Sequence, residues 1–258
     1  MAAKIRNLDR FLGQIVETDL GWHGLYRDGL RERLRGLRVL ELGAGDGLNA
    51  LAMAALGAEV VAVDISEWTP VLIRQVASEL GLAGRVTACA GEFPAMDGLS
   101  PRTFDLVVGK WFLHHLDHAE EACHLRRVAA VLKPGGEARF IEPATNSAFL
   151  ERLGYLFPNR GRPSSLQRGA FRAWRGADRH PARDNSSLHF REAAGKEFGS
   201  VEIVYLGSLE GLLRLLPKGE RQQAYRKAAL RREGMLPAFV RYRFARAQII
   251  DCRQPRTT

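Results

Sequence analysis

Cysteine is scarce in this chain. Cys89, Cys123 and Cys252 are three among 258 residues, too few and too widely spaced for a disulfide framework or a cysteine metal knuckle. No run of some eighteen apolar residues occurs, which removes the ordinary membrane-spanning helix and with it an integral membrane protein. The opening residues, Met1-Ala-Ala-Lys-Ile-Arg-Asn-Leu-Asp-Arg10, lack the apolar core of a secretory signal. Internal repeats and low-complexity tracts are missing, and so is the Gly-Lys-Ser/Thr that follows the glycines of a phosphate-cradling loop. These absences lead to the expectation of a reduced, cytoplasmic, globular protein, with length enough for one sizeable α/β domain and some additions. Negative charge is also short: 29 Asp and Glu face 38 Lys and Arg, a net charge of +9. Much of the excess is arginine within residues 152–191 and 214–256. A basic surface attracts nucleic acid, anionic lipid or acidic small molecules, but an Ala/Gly/Arg-heavy composition also follows from a GC-rich genome, so charge alone selects no partner.

What the chain does hold is concentrated in residues 39–47, Val-Leu-Glu-Leu-Gly-Ala-Gly-Asp-Gly. A short apolar strand runs into Gly43, Gly45 and Gly47, and a helix begins near Leu48. At Gly43 and Gly45 the missing Cβ is expected to allow unusual φ/ψ values and a close approach of ligand to backbone. The helix start adds an electropositive end. Seventeen residues past Gly47, the run Val60–Val63 ends in Asp64. A carboxylate at the tip of the second strand of a βαβ unit can accept the hydroxyls of a ribose. The pattern predicts a nucleoside-containing cofactor lying across strand ends. The dinucleotide fingerprint would need a glycine where Leu48 stands.

Strands and helices alternate along the first half. Strands are expected at Arg38–Leu42, Glu59–Asp64, Arg85–Ala88, Phe104–Val108 and Glu137–Ile141, with helices at Leu48–Leu56, Thr69–Leu80 and His118–Leu132. Consecutive βα units imply parallel strands with helices on both faces. Upstream, residues 4–16 read as an amphipathic helix with Ile5, Leu8, Leu12 and Ile15 on one side, followed by an aromatic bend at Gly21–Tyr26. After Glu142 the rhythm breaks: residues 144–197 are rich in Arg, Gly, Pro and Ser and show no clear strand. Regular structure returns with Val201–Leu206, a helix at Leu209–Leu216 and a polar helix at Glu220–Arg232.

Four segments in order across residues 37–143 resemble the motifs of the class I S-adenosylmethionine-dependent methyltransferases. They are the glycine loop with Glu41 before it, the Asp64 strand tip, Thr103–Leu116, and Leu132-Lys-Pro-Gly-Gly136 with the strand Glu137–Glu142 that follows. Within that family the likeness is to the broad group that includes ubiquinone and menaquinone methyltransferases and natural-product tailoring enzymes. It implies an α/β fold: a Rossmann-like, doubly wound, mostly parallel seven-stranded sheet with an antiparallel last strand. An N-terminal helical lid and an Arg-rich cap inserted after strand five complete it. The last strand pair would be Val201–Leu206 and about Arg243–Ile250. Residues 1–258 then form a single domain: a helical segment to 35, the cofactor core 36–143, the cap 144–197 and the C-terminal strand pair with its helices 198–258.

The resemblance also implies S-adenosyl-L-methionine as cofactor, S-adenosyl-L-homocysteine as product, and in-line transfer of a methyl group to an O, N or C nucleophile of a small molecule in secondary or cofactor metabolism. Gly43, Ala44, Gly45 and Gly47 would meet the cofactor through backbone. Glu41 and Asp46 would serve its ammonium end, Asp64 its ribose, Ile65 and Glu92 its adenine. Gly109 and Lys110 lie at the switch point past strand four, where a lysine beside a sulfonium is unfavourable and is expected to turn toward an anionic acceptor. His114, His115 and Glu142 are the candidates for a base, each with a packing or capping role as the alternative. Tyr155, Arg160, Arg162, His180 and His189 of the cap are candidate acceptor contacts. His114, His115, His118 and His124 cluster, but no carboxylate or cysteine completes a ligand set, so no metal is expected. An RNA or protein methyltransferase is the alternative the charge favours. Against it, no RNA-binding module is appended and Gly109-Lys-Trp-Phe112 replaces the Asn/Asp-Pro-Pro-Tyr/Phe of enzymes acting on planar amines. A protein that binds the cofactor without methylating is the third reading.

Overall fold

A computed structural model describes residues 1–158, 161–177, 181, 183–215 and 219–256. The N-terminal segment folds as four short helices, α1 (Ala2–Arg6), α2 (Leu8–Ile15), α3 (Leu20–Leu25) and α4 (Leu30–Arg33). The single helix expected over 4–16 is divided at Asn7, whose side-chain amide donates to the Ala3 carbonyl and ends the first helix. The core follows as β1 (Arg38–Leu42), α5 (Leu48–Ala55), β2 (Glu59–Asp64), α6 (Trp68–Glu79), β3 (Val86–Ala90), β4 (Phe104–Lys110), α7 (His118–Val131) and β5 (Leu132–Pro143). Beyond it lie α8 (Ala148–Tyr155), α9 (Arg168–Gly176), α10 (Ser187–Glu197), β6 (Phe198–Leu206), α11 (Glu220–Arg232), α12 (Ala238–Phe244) and β7 (Ala247–Pro255).

The seven strands form one sheet in the order β3-β2-β1-β4-β5-β7-β6. β1 to β5 run parallel, and β7 is antiparallel to both its neighbours. The topology is the doubly wound one expected, with the order reversing between β1 and β4. Alternation along β1 sends Val39 to the face covered by α5 and α3 and sends Leu40 and Leu42 to the face covered by α7 and α10. Both faces are therefore buried, which is why these strands are nearly all apolar. The capping box at Asp117 and Glu120 fixes where α7 starts.

β6 begins at Phe198 rather than Val201 and β4 runs on to Lys110 rather than Val108, and three further departures have local causes. β5 begins at Leu132 rather than Glu137, because Leu132 pairs with Phe104 and the Pro-Gly-Gly segment bulges out before pairing resumes at Glu137 opposite Leu106. The last strand starts at Ala247 rather than Arg243: Pro237 caps a helix that takes up Arg243 and Phe244. The helix expected at Leu209–Leu216 is a 3₁₀ segment, Glu210–Leu215. Within the cap, Ser147 and Ser186 each accept a backbone N–H and start α8 and α10. Among the described residues no helix is long and apolar enough to cross a membrane.

Candidate active site

The carboxyl ends of β1, β2, β4 and β5 share one rim of the sheet, and the crevice between β1 and β4 is where open sheets of this kind bind ligands. Gly43, Gly45 and Gly47 all have positive φ, +67°, +55° and +75°. Their missing Cβ atoms answer three different demands. A Cβ on Gly43 would stand 2.7 Å from the Phe112 ring, and one on Gly47 would stand 2.2 Å from Ile73 Cγ1 of α6. Those two glycines are needed for packing. Above Gly45 there is nothing within 4 Å, so this position alone of the three presents bare backbone to a ligand. Gly109, expected to touch the cofactor, is likewise a packing glycine, since a Cβ there would press 2.8 Å from Phe140.

The loop amides are already taken. Gly43 and Ala44 donate to the Val63 carbonyl, Gly47 to that of Ala44, and Leu48 to the Asp46 carboxylate, which thereby caps α5. Gly45 N–H donates to Asp64 Oδ2 at 2.8 Å and Ser66 N–H to Oδ1 at 2.9 Å, while the Thr69 hydroxyl holds the Gly45 carbonyl. Asp64 is thus clamped in place at the strand tip with lone pairs left to accept hydroxyl donors. Beside it Ile65 is 80% exposed and Trp68 79% exposed, apolar surface on which a planar base can lie. Glu92, exposed, follows the end of β3, where Gly91 N–H donates to the Asp64 carbonyl.

Glu41 lies under this loop, 2% exposed. Its Oε1 accepts from Asn49 Nδ2 at 2.8 Å, and Asn49 in turn accepts the Tyr26 hydroxyl at 3.0 Å. Oε2 is buried with no hydrogen-bond partner. Burial pushes the carboxyl up to about 7, against the pull of Asn49 and Lys110. An orphaned, buried carboxylate oxygen next to an open glycine fits a ligand ammonium, and with the Asp64 and Ile65 features the residues present fit an amino-acid nucleoside. Lys110 is not turned toward the cap. Its ammonium lies 4.5 Å from the centroid of the Trp22 ring, and its stem packs beneath Gly21.

The second half of the site is a turn packed on the first through Phe112 against Gly43. Glu142, fully buried at the end of β5, accepts Phe112 N–H at 2.9 Å and Leu113 N–H at 2.7 Å on Oε1, and His114 N–H at 3.2 Å on Oε2. The same Oε2 lies 2.7 Å from His114 Nδ1. A carboxylate can only accept, so Nδ1 carries a proton, and in the neutral ring the lone pair is on Nε2. His115 is exposed, its ring 4.2 Å from that of His114. His124 is packed between Phe93 and Phe112, and burial lowers its pKa.

Past Glu142 the same rim continues over β5, β7 and β6. There an open cavity of about 490 Å³ is lined by the 144–147 segment, α8, the 209–212 turn and α12; neither His114 nor the glycine loop lines it. Leu150, Leu153, Phe157, Leu212 and Phe244 make it apolar. Its polar groups are engaged: Asn146 with Tyr242 and Ser187, the Ser147 hydroxyl with Leu150, the Ser208 hydroxyl with Arg241. Arg243 and Arg246 supply positive charge.

Residues 39–136 match the family model described as a methyltransferase domain. Residues 39–136 are thus a stretch of the methyltransferase-domain kind. The ubiquinone biosynthesis O-methyltransferase of Parvibaculum lavamentivorans is 32% identical over 139 residues, 52% of this chain and 53% of that protein. The cypemycin N-terminal methyltransferase of a Streptomyces species is 38% identical over 124 residues, 47% of each. This chain spans about half or less of the length of such relatives. In fold, it is similar to Haemonchus contortus phosphoethanolamine N-methyltransferase 2 in complex with S-adenosylhomocysteine (TM-score 0.56, 19% identity, 92% of this chain and 52% of that one). It is also similar to magnesium protoporphyrin IX methyltransferase of Synechocystis (TM-score 0.52, 16% identity, 97% and 83%).

The cap residues expected at the acceptor are dispersed in the structure. Tyr155 donates to Glu151 and packs on Phe171, with Arg162 over its ring. Burial, then the Glu151 hydrogen bond, raises its pKa. His189 faces Glu121 of α7, not the cavity. Arg160 and His180 lie outside the described residues. Asn49, Tyr26 and Phe112 escaped the sequence reading, for their roles depend on partners across the sheet; only the aromatic bend at Gly21–Tyr26 pointed toward one of them.

Proposed function

We propose that this protein transfers a methyl group from S-adenosylmethionine to a small-molecule acceptor lodged in the cavity beside the strand rim. The observation that carries the reading is the His114–Glu142 pair, seated on the glycine loop through Phe112. When bound, the cofactor supplies an electrophilic methyl on a sulfonium that needs no further activation. Asp64 would accept the ribose hydroxyls, Glu41 Oε2 would pair with the ammonium, Gly45 would leave room for the amino-acid part, and Ile65 and Glu92 would serve the adenine. His114 Nε2 takes the proton of the acceptor hydroxyl or amine as the nucleophile attacks, and Glu142 steadies the imidazolium that forms. The apolar walls and Arg243 favour an acceptor with an apolar body and an anionic group. Incubation with isotopically methyl-labelled cofactor and extracts fractionated by polarity, read by mass spectrometry, tests this. A labelled small apolar acid supports it, whereas absence of affinity for both cofactor and its demethylated product overturns it.

Two of its consequences are measurable by calorimetry. Asp64→Ala is expected to weaken cofactor binding by about 1–3 kcal/mol, since the ribose hydroxyls lose their acceptor and must remain hydrated or unpaired. An unchanged affinity removes the ribose role. Glu41 gives a pH signature. Its carboxyl titrates near pH 7, so the neutral form dominates below that value and the ammonium-pairing anion above it. Cofactor affinity therefore rises from pH 6 to pH 8 with release of a proton on binding at the lower end, and Glu41→Gln binds more weakly with that dependence gone. A pH-independent wild-type affinity contradicts the assignment.

A further inference from the structure

Behind the His114 turn, on the side away from the glycine loop, lies a polar cluster that the mechanism does not use. Glu121 of α7 is buried, and around it stand His118, His189 and Arg183. Histidine nitrogens and a carboxylate within 4.8 Å of one another are metal-ligand types. The cation placed among them is the guanidinium of Arg183, whose side chain is 1% exposed and forms an ion pair with Glu121. Arg183 belongs to the cap, on the segment leading into α10. From there its Nη1 donates to the carbonyl of Leu113 at 2.7 Å and to that of Leu116 at 2.6 Å. Its Nη2, besides the Glu121 bond, lies 3.3 Å from His189 Nε2, and the guanidinium rests over the Phe190 ring at 5.3 Å.

The turn 112–116 is thus held from two sides by two buried charges of opposite sign. Glu142 gathers its N–H groups from the sheet side, and Arg183 gathers its carbonyls from the cap side. A 3₁₀ turn has few internal hydrogen bonds to define it. His115 N–H to Phe112 and Leu116 N–H to Leu113 are its backbone bonds. The position of His114 within it is then set by these two anchors. The cavity lining does not include Arg183.

We infer that Arg183 is a positioning residue for His114: it couples the docked state of the cap to the placement of the base, so that the imidazole is aligned only when the cap is seated. This rests on the reading of His114 as proton acceptor. The coupling is useful chemically, because the cap also walls the acceptor cavity, and alignment of the base is thereby tied to a closed acceptor site.

The test compares wild type, Arg183→Ala, Arg183→Lys and Glu121→Gln in three measurements: calorimetric affinity for the cofactor, kcat and KM with an identified acceptor, and the ¹H–¹⁵N correlation spectrum of the histidine rings. In Arg183→Ala, cofactor affinity is expected to stay at the wild-type value while kcat falls about tenfold to a hundredfold, the range a misplaced catalytic group produces. The His114 ring signals shift or double, and millimolar guanidinium restores part of the rate. Arg183→Lys, which keeps charge but loses the fork, recovers less than added guanidinium does. Glu121→Gln keeps both carbonyl anchors and gives an intermediate loss, which holds the test open should Arg183→Ala fold poorly. An unchanged His114 signal and kcat in folded Arg183→Ala and Glu121→Gln overturn the inference. Failure of the proposed function shows itself separately, as a wild-type protein that does not bind the cofactor.

Discussion

Replacing Glu142 by glutamine is expected to reduce methyl transfer by about 10²–10⁴ while leaving cofactor affinity intact, the range associated with loss of a positioned acid–base group. The reason lies in how many donors converge on this one side chain. Glu142 accepts three backbone N–H groups and the His114 Nδ1–H, spread over both oxygens. Glutamine has one acceptor oxygen and one donor nitrogen. If its oxygen keeps Phe112 and Leu113, its NH₂ faces Nδ1 and the His114 amide. The imidazole can then only accept at Nδ1, which moves the ring proton to Nε2, and Nε2 no longer takes a proton from the acceptor. If the amide flips, two backbone donors lose their acceptor, at about 1–3 kcal/mol each for buried groups. The first outcome removes the base and the second loosens the turn that carries it, and neither touches Asp64, Glu41 or Gly45. Saturating kcat together with calorimetric cofactor binding measures both halves, and turnover within a few-fold of wild type shows that Glu142 is only a strand-end brace. His115→Ala, in contrast, removes an exposed ring and should matter far less than His114→Ala.

The parts of this molecule that sequence alone made legible are those whose causes are local. The apolar run before Gly43, the strand ending at Asp64 and the start of α7 at His118 each depend on neighbours a few residues away, and each is found where expected. The two base candidates were also visible as residue types. What could not be read was which of them is held by what. Gly43 and Gly47 looked like cofactor contacts, yet their missing Cβ atoms make room for Phe112 and Ile73, far along the chain in each case. Lys110 looked like an acceptor ligand until the Trp22 ring was found beneath its ammonium. Arg183 was one more arginine in a segment full of them, and no periodicity distinguishes a buried guanidinium from a solvated one. The cap helices α8 and α10 are short and start on single serine caps, a signal swamped by surrounding Gly, Pro and Arg. Long-range partnerships of polar groups, unlike apolar periodicity, leave little mark on sequence spacing.

The largest stability effect is expected at Arg139, inside the sheet. It sits in β5 directly opposite Asp251 of β7, and both side chains are buried. Arg139 Nε donates to Asp251 Oδ1 at 2.6 Å, Nη2 to Oδ2 at 3.3 Å, and Nη1 to the carbonyls of Leu25 and Arg27, each at 3.1 Å. Even with this partner, burial holds the Asp251 carboxyl above its usual range. Arg139→Met removes the counter-charge, leaves the carboxylate in an apolar layer and strips two carbonyls at the end of α3 of their donor. The expected loss is about 3–5 kcal/mol, the cost of breaking a buried pair from one side. Its pH dependence has a definite sign. An acid whose folded pKa is raised stays protonated in the folded protein while the unfolded chain ionises, so stability falls as pH rises above the unfolded value. The deficit of Arg139→Met is therefore smallest near pH 4 and grows toward neutrality, which urea titrations at pH 5 and pH 8 can follow. Adding Asp251→Leu removes the stranded charge and should return most of the lost stability without the pH dependence. It does not return the donor to Leu25 and Arg27, so α3, which carries Trp22 above Lys110, remains loosened. A double variant that is stable but weakened in cofactor binding would then separate the two tasks of Arg139, holding the sheet together and seating the N-terminal helices over the site. A double variant as unstable as Arg139→Met would instead place the whole effect in the helix anchor.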